Sequence, residues 1–160
     1  MKKILMMVAL VAMTVSASAQ DGKWTYKSEP YEGMIVVRDG DDKYGFIDEK
    51  DNVVIPCKWE YACDFSCGLA KVQNSDFKFG FIDKTGKEVI PCKYNEAYPF
   101  AEGLAGVQDE NEKYGFIDTT GKVVIPFTLQ DAGFFEDGKC MVKDTNGKDV
   151  TIDKTGKEVK

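Results

Sequence analysis

The 160-residue sequence contains no histidine. A serine or cysteine nucleophile assisted by an imidazole is therefore excluded. A zinc site would have to rest on cysteine, and the spacing of Cys57, Cys63 and Cys67 matches no known zinc clip. Cysteine is scarce and odd in number, with Cys92 and Cys140 completing the set of five, so at least one thiol is free or paired with another chain. No glycine-rich phosphate loop lies between a strand and a helix. Beyond residue 19, no run approaches the roughly 18 apolar residues of a membrane helix. Positive charge is in deficit, at 21 Lys and Arg against 27 Asp and Glu. Nucleic acid and anionic membrane surfaces are poor partners for such a chain.

What is present begins with a leader. Met1–Lys3 is a short basic region, Ile4–Val15 is apolar, and Ser16-Ala17-Ser18-Ala19 offers an Ala-x-Ala cleavage site before Gln20. The order of these parts predicts a secretory signal peptide over 1–19, cleaved between Ala19 and Gln20. No cysteine adjoins the site to carry a lipid. The expectation is a processed chain, periplasmic or secreted, with no membrane insertion after cleavage. Losing Lys2 and Lys3 makes it more acidic still.

The remainder is periodic. KYGFIDEKDNVVIPCKW from Lys43 returns as KFGFIDKTGKEVIPCKY from Lys78, as KYGFIDTTGKVVIPFTL from Lys113, and as the worn KDVTIDKTGKEVK from Lys148. The starts are each 35 residues apart. Gly33, Gly68, Gly103 and Gly138 keep the same spacing, so residues 20–160 read as one domain of units 23–57, 58–92, 93–127 and 128–160. Within the second unit, strands are expected over 69–73, 78–82 and 88–90, the last ending at Pro91. Asp83–Lys87 forms the hairpin turn, with Gly86 free to take positive φ. Each unit is thus a three-stranded antiparallel meander. Phe79 and Phe81 point to one face, Gly80 and Ile82 to the other, and both faces are apolar. A lone meander cannot cover both, so the units must stack. Gly45, Gly80 and Gly115 lie mid-strand, where close approach of a ring or backbone explains them. The predicted fold class is all-β: 35-residue meanders stacked in an open curved array, with a closed propeller-like ring as the alternative.

An aromatic followed by Gly-Phe-Ile-Asp, then Thr-Gly-Lys, then Val-Ile-Pro resembles the WG-repeat family. That family usually has Trp before the glycine, where this chain has Tyr44, Phe79 and Tyr114. The resemblance covers residues 23–160 and includes Glu102–Ala105. It implies β-repeats, often exported or envelope-associated in bacteria, with interaction roles, and it transfers no catalytic residue.

Asp48, Asp83, Asp118 and Asp153 recur in the turns. They could form a ladder of calcium ligands, but each turn lacks further acidic oxygens and lysines follow. Capping of the turn by the carboxylate is the expected role, so no metal and no cofactor are predicted. Carboxylates are plentiful enough for a glycosidase-type pair, yet they fall in turns and on repeat-equivalent surfaces, and no enzyme is expected. Cys57 and Cys92 share a position with Phe127 and read as small buried hydrophobes. Cys63 and Cys67, close in one connector, are the pair best placed for a disulfide. Trp24, Trp59, Tyr61, Tyr94 and Tyr98 are the candidates for a binding surface. Of these, Trp24, Trp59 and Tyr94 share a column with Leu129, which favours core for that column. The functional expectation is a monomeric, exported module that binds a protein partner or scaffolds it, with a carbohydrate-binding envelope protein as the alternative.

Overall fold

A computed structural model describes residues 22–159, and the expected leader and its cleavage site lie outside them. The first unit builds a four-stranded antiparallel sheet from β1 (Tyr26–Lys27), β2 (Ile35–Arg38), β3 (Tyr44–Ile47) and β4 (Val53–Trp59), in that order. The second repeats it with β5 (Tyr61–Ala62), β6 (Ala70–Gln73), β7 (Phe79–Ile82) and β8 (Glu88–Tyr94). The third follows with β9 (Glu96–Ala97), β10 (Leu104–Gln108), β11 (Tyr114–Asp118) and β12 (Val123–Leu129). The fourth retains β13 (Lys139–Lys143) and β14 (Asp149–Asp153), flanked by isolated bridges at Asp131 and Glu158.

Two expectations about the unit are corrected. The meander has four strands, because the connector contributes a two-residue strand that pairs with the next one, Tyr61 opposite Gln73 and Ala62 opposite Val72. The last long strand also does not stop at Pro91; it continues to Tyr94. Its register explains how. Phe81 faces Ile90 and Phe79 faces Tyr94, so one residue of β7 opposes three of β8. The proline lies in this bulge on an edge strand, where no ladder bond from its nitrogen is required.

The bulge also accounts for the mid-strand glycine. A Cβ on Gly80 would lie 2.6 Å from Cys92 N and Ile90 O and 2.8 Å from Cys92 Cα. Gly45 faces Ile55 O and Cys57 in the same way. The expected close approach is therefore real, and its partner is the unit's own outer strand. The fourth copy has Val150 there, and no outer strand with a bulge follows β14 among the described residues.

The core lies between units. Phe46 packs on Phe65 at 5.0 Å, Phe81 on Phe100 at 4.7 Å, and Phe116 on Phe135 at 5.0 Å, each pair joining one unit to the next. The opposite face of each sheet, Val72 and Ile82 in the second, meets the preceding unit. Gly86, Gly121 and Gly156 press their turns against Ile55, Ile90 and Ile125 of the unit before, so closely that a Cβ at each glycine would lie 3.2 Å from the isoleucine. The stack is open. The outer face of the fourth unit bears Met141, 69% exposed, and Thr151 where earlier units have buried Phe. No helix among the described residues is long and apolar enough to cross a membrane.

Candidate interaction surface

Strand alternation puts the residue before the mid-strand glycine on the face of the buried Phe two positions on, half-buried at the strand's end and beside the first residue of the short strand. In the first two units all four such residues are aromatic. Their rings form a continuous row: Tyr26 to Tyr44 at 6.5 Å, Tyr44 to Tyr61 at 5.6 Å, and Tyr61 to Phe79 at 6.5 Å. Glu96 and Asp131 hold the Tyr26 position in later units, and the row stops. A shorter group stands beyond the break, with Tyr98 6.3 Å from Tyr114 and 5.2 Å from Phe134.

Cations attend the row. Arg38 lies 5.9 Å from the Tyr44 centroid, and Lys71 Nζ lies 5.1 Å from Tyr61 and 4.9 Å from Phe79. Burial, with help from Asp64, raises the Tyr26 phenol above its ordinary value. Tyr61 and Tyr98 are raised mainly by burial as well. Tyr114 is pushed up to about 12 by burial, then by Tyr98 and Glu96. These phenols keep their protons at physiological pH and present neutral donors.

Between the first two units the row opens into a cavity of about 220 Å³. Tyr26, Tyr44, Tyr61, Cys63 and Asp64 line it. Asp64 Oδ1 accepts a hydrogen bond from Ser28 Oγ at 2.9 Å. Burial holds the Asp64 carboxyl above its ordinary pKa, against the opposing pull of Ser28.

The other sequence-predicted residues divide. Trp59 and Tyr94 are buried between units, and Leu129 with them, as the core reading of that column requires. Among the described residues the Trp59 indole N–H has no hydrogen-bond partner. Trp24 is half-buried against Ile35, Val37 and Ile47. Tyr61 and Tyr98 belong to the aromatic surface. The expected Cys63–Cys67 disulfide is not formed, and all five cysteines are free. Cys63 is held by its backbone N–H on Lys71 O and looks into the cavity, whereas Cys67 sits exposed at φ 55° in a tight turn. Burial raises the Cys63 thiol, and burial with Glu88 pushes Cys92 up to about 12, so neither is an activated nucleophile.

The turn aspartates act as caps. Asp83 Oδ1 accepts from Thr85 N, Thr85 Oγ1 and Lys87 N, and Asp118 and Asp153 repeat the set. Asp48 does the same with Lys50 and Asn52. A second row was missed by sequence reasoning. Asp39, Asn74, Asp109 and Asp144 cap the preceding turn by the same bonds, and their constant spacing was the available signal. Among the described residues no group of three His, Cys, Asp or Glu could hold a metal ion.

A further interaction skips alternate junctions. Glu32 accepts from Gly68 N and pairs with Lys84 of the second unit, and Glu102 treats Gly138 and Lys154 likewise. At the middle junction the equivalent residues are Cys67 and Thr119.

Solved structures that resemble the chain do so at low sequence identity. The computationally designed Ika4 protein superposes at a TM-score of 0.50 and 10% identity, over 85% of this chain and 94% of that one. The WD40 β-propeller domain of Doa1 gives 0.43 at 11% identity, over 80% and 50% of the respective chains. BamB from Moraxella catarrhalis gives 0.45 at 8% identity, over 74% and 40%. This chain therefore spans half or less of the length of the latter two. No curated protein matches it. The family model described as "WG containing repeat" matches residues 44–76, 79–114 and 114–148, consecutive segments that repeat the strand order just described. With well over half its length matched in three tandem segments, the chain belongs to the WG-repeat family.

Proposed function

We propose that this chain is an exported, non-catalytic interaction module of the bacterial periplasm or cell surface, and that it docks a protein partner on the aromatic row of its first two units. The carrying observation is the unbroken run Tyr26–Tyr44–Tyr61–Phe79. Rings held by a rigid sheet bury much area for little lost side-chain entropy, which is how aromatic anchors dominate protein interfaces. The turn carboxylates, occupied by backbone and hydroxyl donors, support a structural rather than a catalytic role for the acidic residues. The basic–apolar–small leader supports export.

The test is affinity capture from envelope extract with the processed protein and a Tyr26→Ala/Tyr61→Ala variant. Both side chains are exposed, so the variant should melt as the wild type does. A protein retained by the wild type and lost by the variant is the expected result. An identical captured set refutes the assignment of the row. Binding on a glycan array that the same variant abolishes assigns the row to carbohydrate instead.

A further inference from the structure

The rings of the second unit already hold an ammonium group, one that belongs to the chain itself. Tyr61 and Phe79 are both approached by Lys71 Nζ, at 5.1 and 4.9 Å from their centroids. The same Nζ donates to the Ala97 carbonyl of the third unit at 3.1 Å. Two π faces and a carbonyl acceptor make a recognition site for a primary alkylammonium.

One period earlier the same parts recur without a lysine at the Lys71 position, and Arg38, 5.9 Å from the Tyr44 centroid, is not among the residues that line the space. Tyr26 and Tyr44 repeat the ring pair, and both pairs are 6.5 Å between centroids. Ala62 stands where Ala97 stands, and Val36 stands in place of Lys71. Valine is too short to reach the rings and carries no charge. The space is the cavity lined by Tyr26, Val36, Tyr44, Tyr61, Ala62 and Asp64. Asp64 is an addition, since its equivalent in the third unit is Pro99. Among the described residues no ion pair includes Asp64.

We infer that this cavity takes up the side chain of a lysine from the partner protein, seated between Tyr26 and Tyr44 as Lys71 is seated between Tyr61 and Phe79. The inference rests on the interaction reading above and names the anchor that reading lacks. Asp64 supplies a charge-assisted contact in place of the covalent tether that holds Lys71. A neutral alkyl side chain of the same length would fill the space but leave the half-buried carboxylate uncompensated.

The experiment titrates the processed protein with Nα-acetyl-lysine methylamide, following the ring resonances of Tyr26, Tyr44 and Tyr61 by NMR. Nα-acetyl-norleucine methylamide serves as the uncharged control and n-butylamine as a free alkylammonium. Saturable shifts with the lysyl compound, and none with the norleucyl one, are expected. Asp64→Asn should weaken binding by roughly tenfold or more. Val36→Lys should abolish it by supplying an internal ammonium, with the resonances of the third and fourth units unmoved. Equal shifts from lysine and norleucine, or lysine binding unaltered in Asp64→Asn, overturn the inference whether or not Val36→Lys folds. Binding of n-butylamine tighter than the lysyl compound overturns the assignment to a protein side chain. If the titration fails while capture of a partner still depends on Tyr26 and Tyr61, only the lysine anchor is lost and the docking face stands.

Discussion

Replacing Gly80 by alanine should destabilise the protein although β7 is an ordinary extended strand that accepts alanine elsewhere. The obstacle is backbone, not side chain: the new Cβ would meet Cys92 N and Ile90 O at 2.6 Å. A Cβ is essentially never found within 3.0 Å of another such atom, and its contacts with carbon, here Cys92 Cα at 2.8 Å, normally settle at about 3.5–4.0 Å. The bulge of β8 must therefore retreat by about 1 Å, disturbing its pairing with β7 and the Phe81–Phe100 contact behind it. Overpacking of this kind costs about 1–3 kcal/mol. At this chain length each kcal/mol lowers the melting temperature by about 2–4 °C, so the expected loss is roughly 2–12 °C. Gly40→Ala is the control. It has open space around it and no positive φ, so it should hold or slightly raise the melt. Gly115→Ala should fall between the two, because only one backbone atom, Ile125 O at 2.7 Å, is below 3 Å there. Circular dichroism melts of the three variants decide the matter. A Gly80→Ala protein that melts with the Gly40→Ala protein would refute the close-approach account.

Three further predictions concern turns and junctions. Cys67→Glu with Thr119→Lys should install at the middle junction the clamp that Glu32 and Lys84 form at the first. Both members of that pair are about a third or more exposed, at 33% and 45%, so a double-mutant cycle should show coupling of only about 0.2–1 kcal/mol, and zero coupling refutes the clamp. Phe77 is 68% exposed and holds φ 57°, where the fourth unit has Gly147, so Phe77→Gly should raise the melt by up to about 4 °C, and a fall would show that the ring is needed for packing. The Asp83 carboxyl lies below its ordinary pKa chiefly through Thr85, then through backbone N–H groups. Its stabilisation is complete above the unfolded carboxylate pKa of about 4 and is lost as pH falls through the lower folded value. Asp83→Asn should therefore melt below wild type at neutral pH, with the gap closing in acid, and a gap independent of pH contradicts the cap.

What could be read in the chain before folding was whatever a single unit decides for itself. The 35-residue spacing, the caps at Asp48, Asp83, Asp118 and Asp153 and the need for glycine at 45, 80 and 115 are local consequences of backbone geometry repeated in register. The two-residue strands were illegible because Tyr61 and Ala62 carry no alternation long enough to register as one. The run through Pro91 was hidden because a proline stops a strand by rule, and only the three-against-one register of the bulge exempts it. The surface was half legible. Tyr61 and Tyr98 stood out because they lie outside the column of Trp59 and Tyr94, which the stack buries. Lys71 gave no sign at all: its equivalents are Val36, Gly106 and Met141, and its partners are set partly by the following unit.

Glu60, Asn95 and Gln130, the lone residues between one unit's last long strand and the next unit's first pairing, bear on how such a gene can change length. Each belongs to two sheets at once. The residue before it closes one ladder, and its own N–H already donates across the next, to Gln73, Gln108 and Lys143 respectively. One codon inserted there would flip the following strand, exchanging its inward and outward side chains. Every later unit would inherit the error through the stack. Recombination between copies in register adds or removes a whole period and leaves each junction as it was. Such an event gains or loses one interface, whereas a single misplaced codon forfeits everything downstream of it.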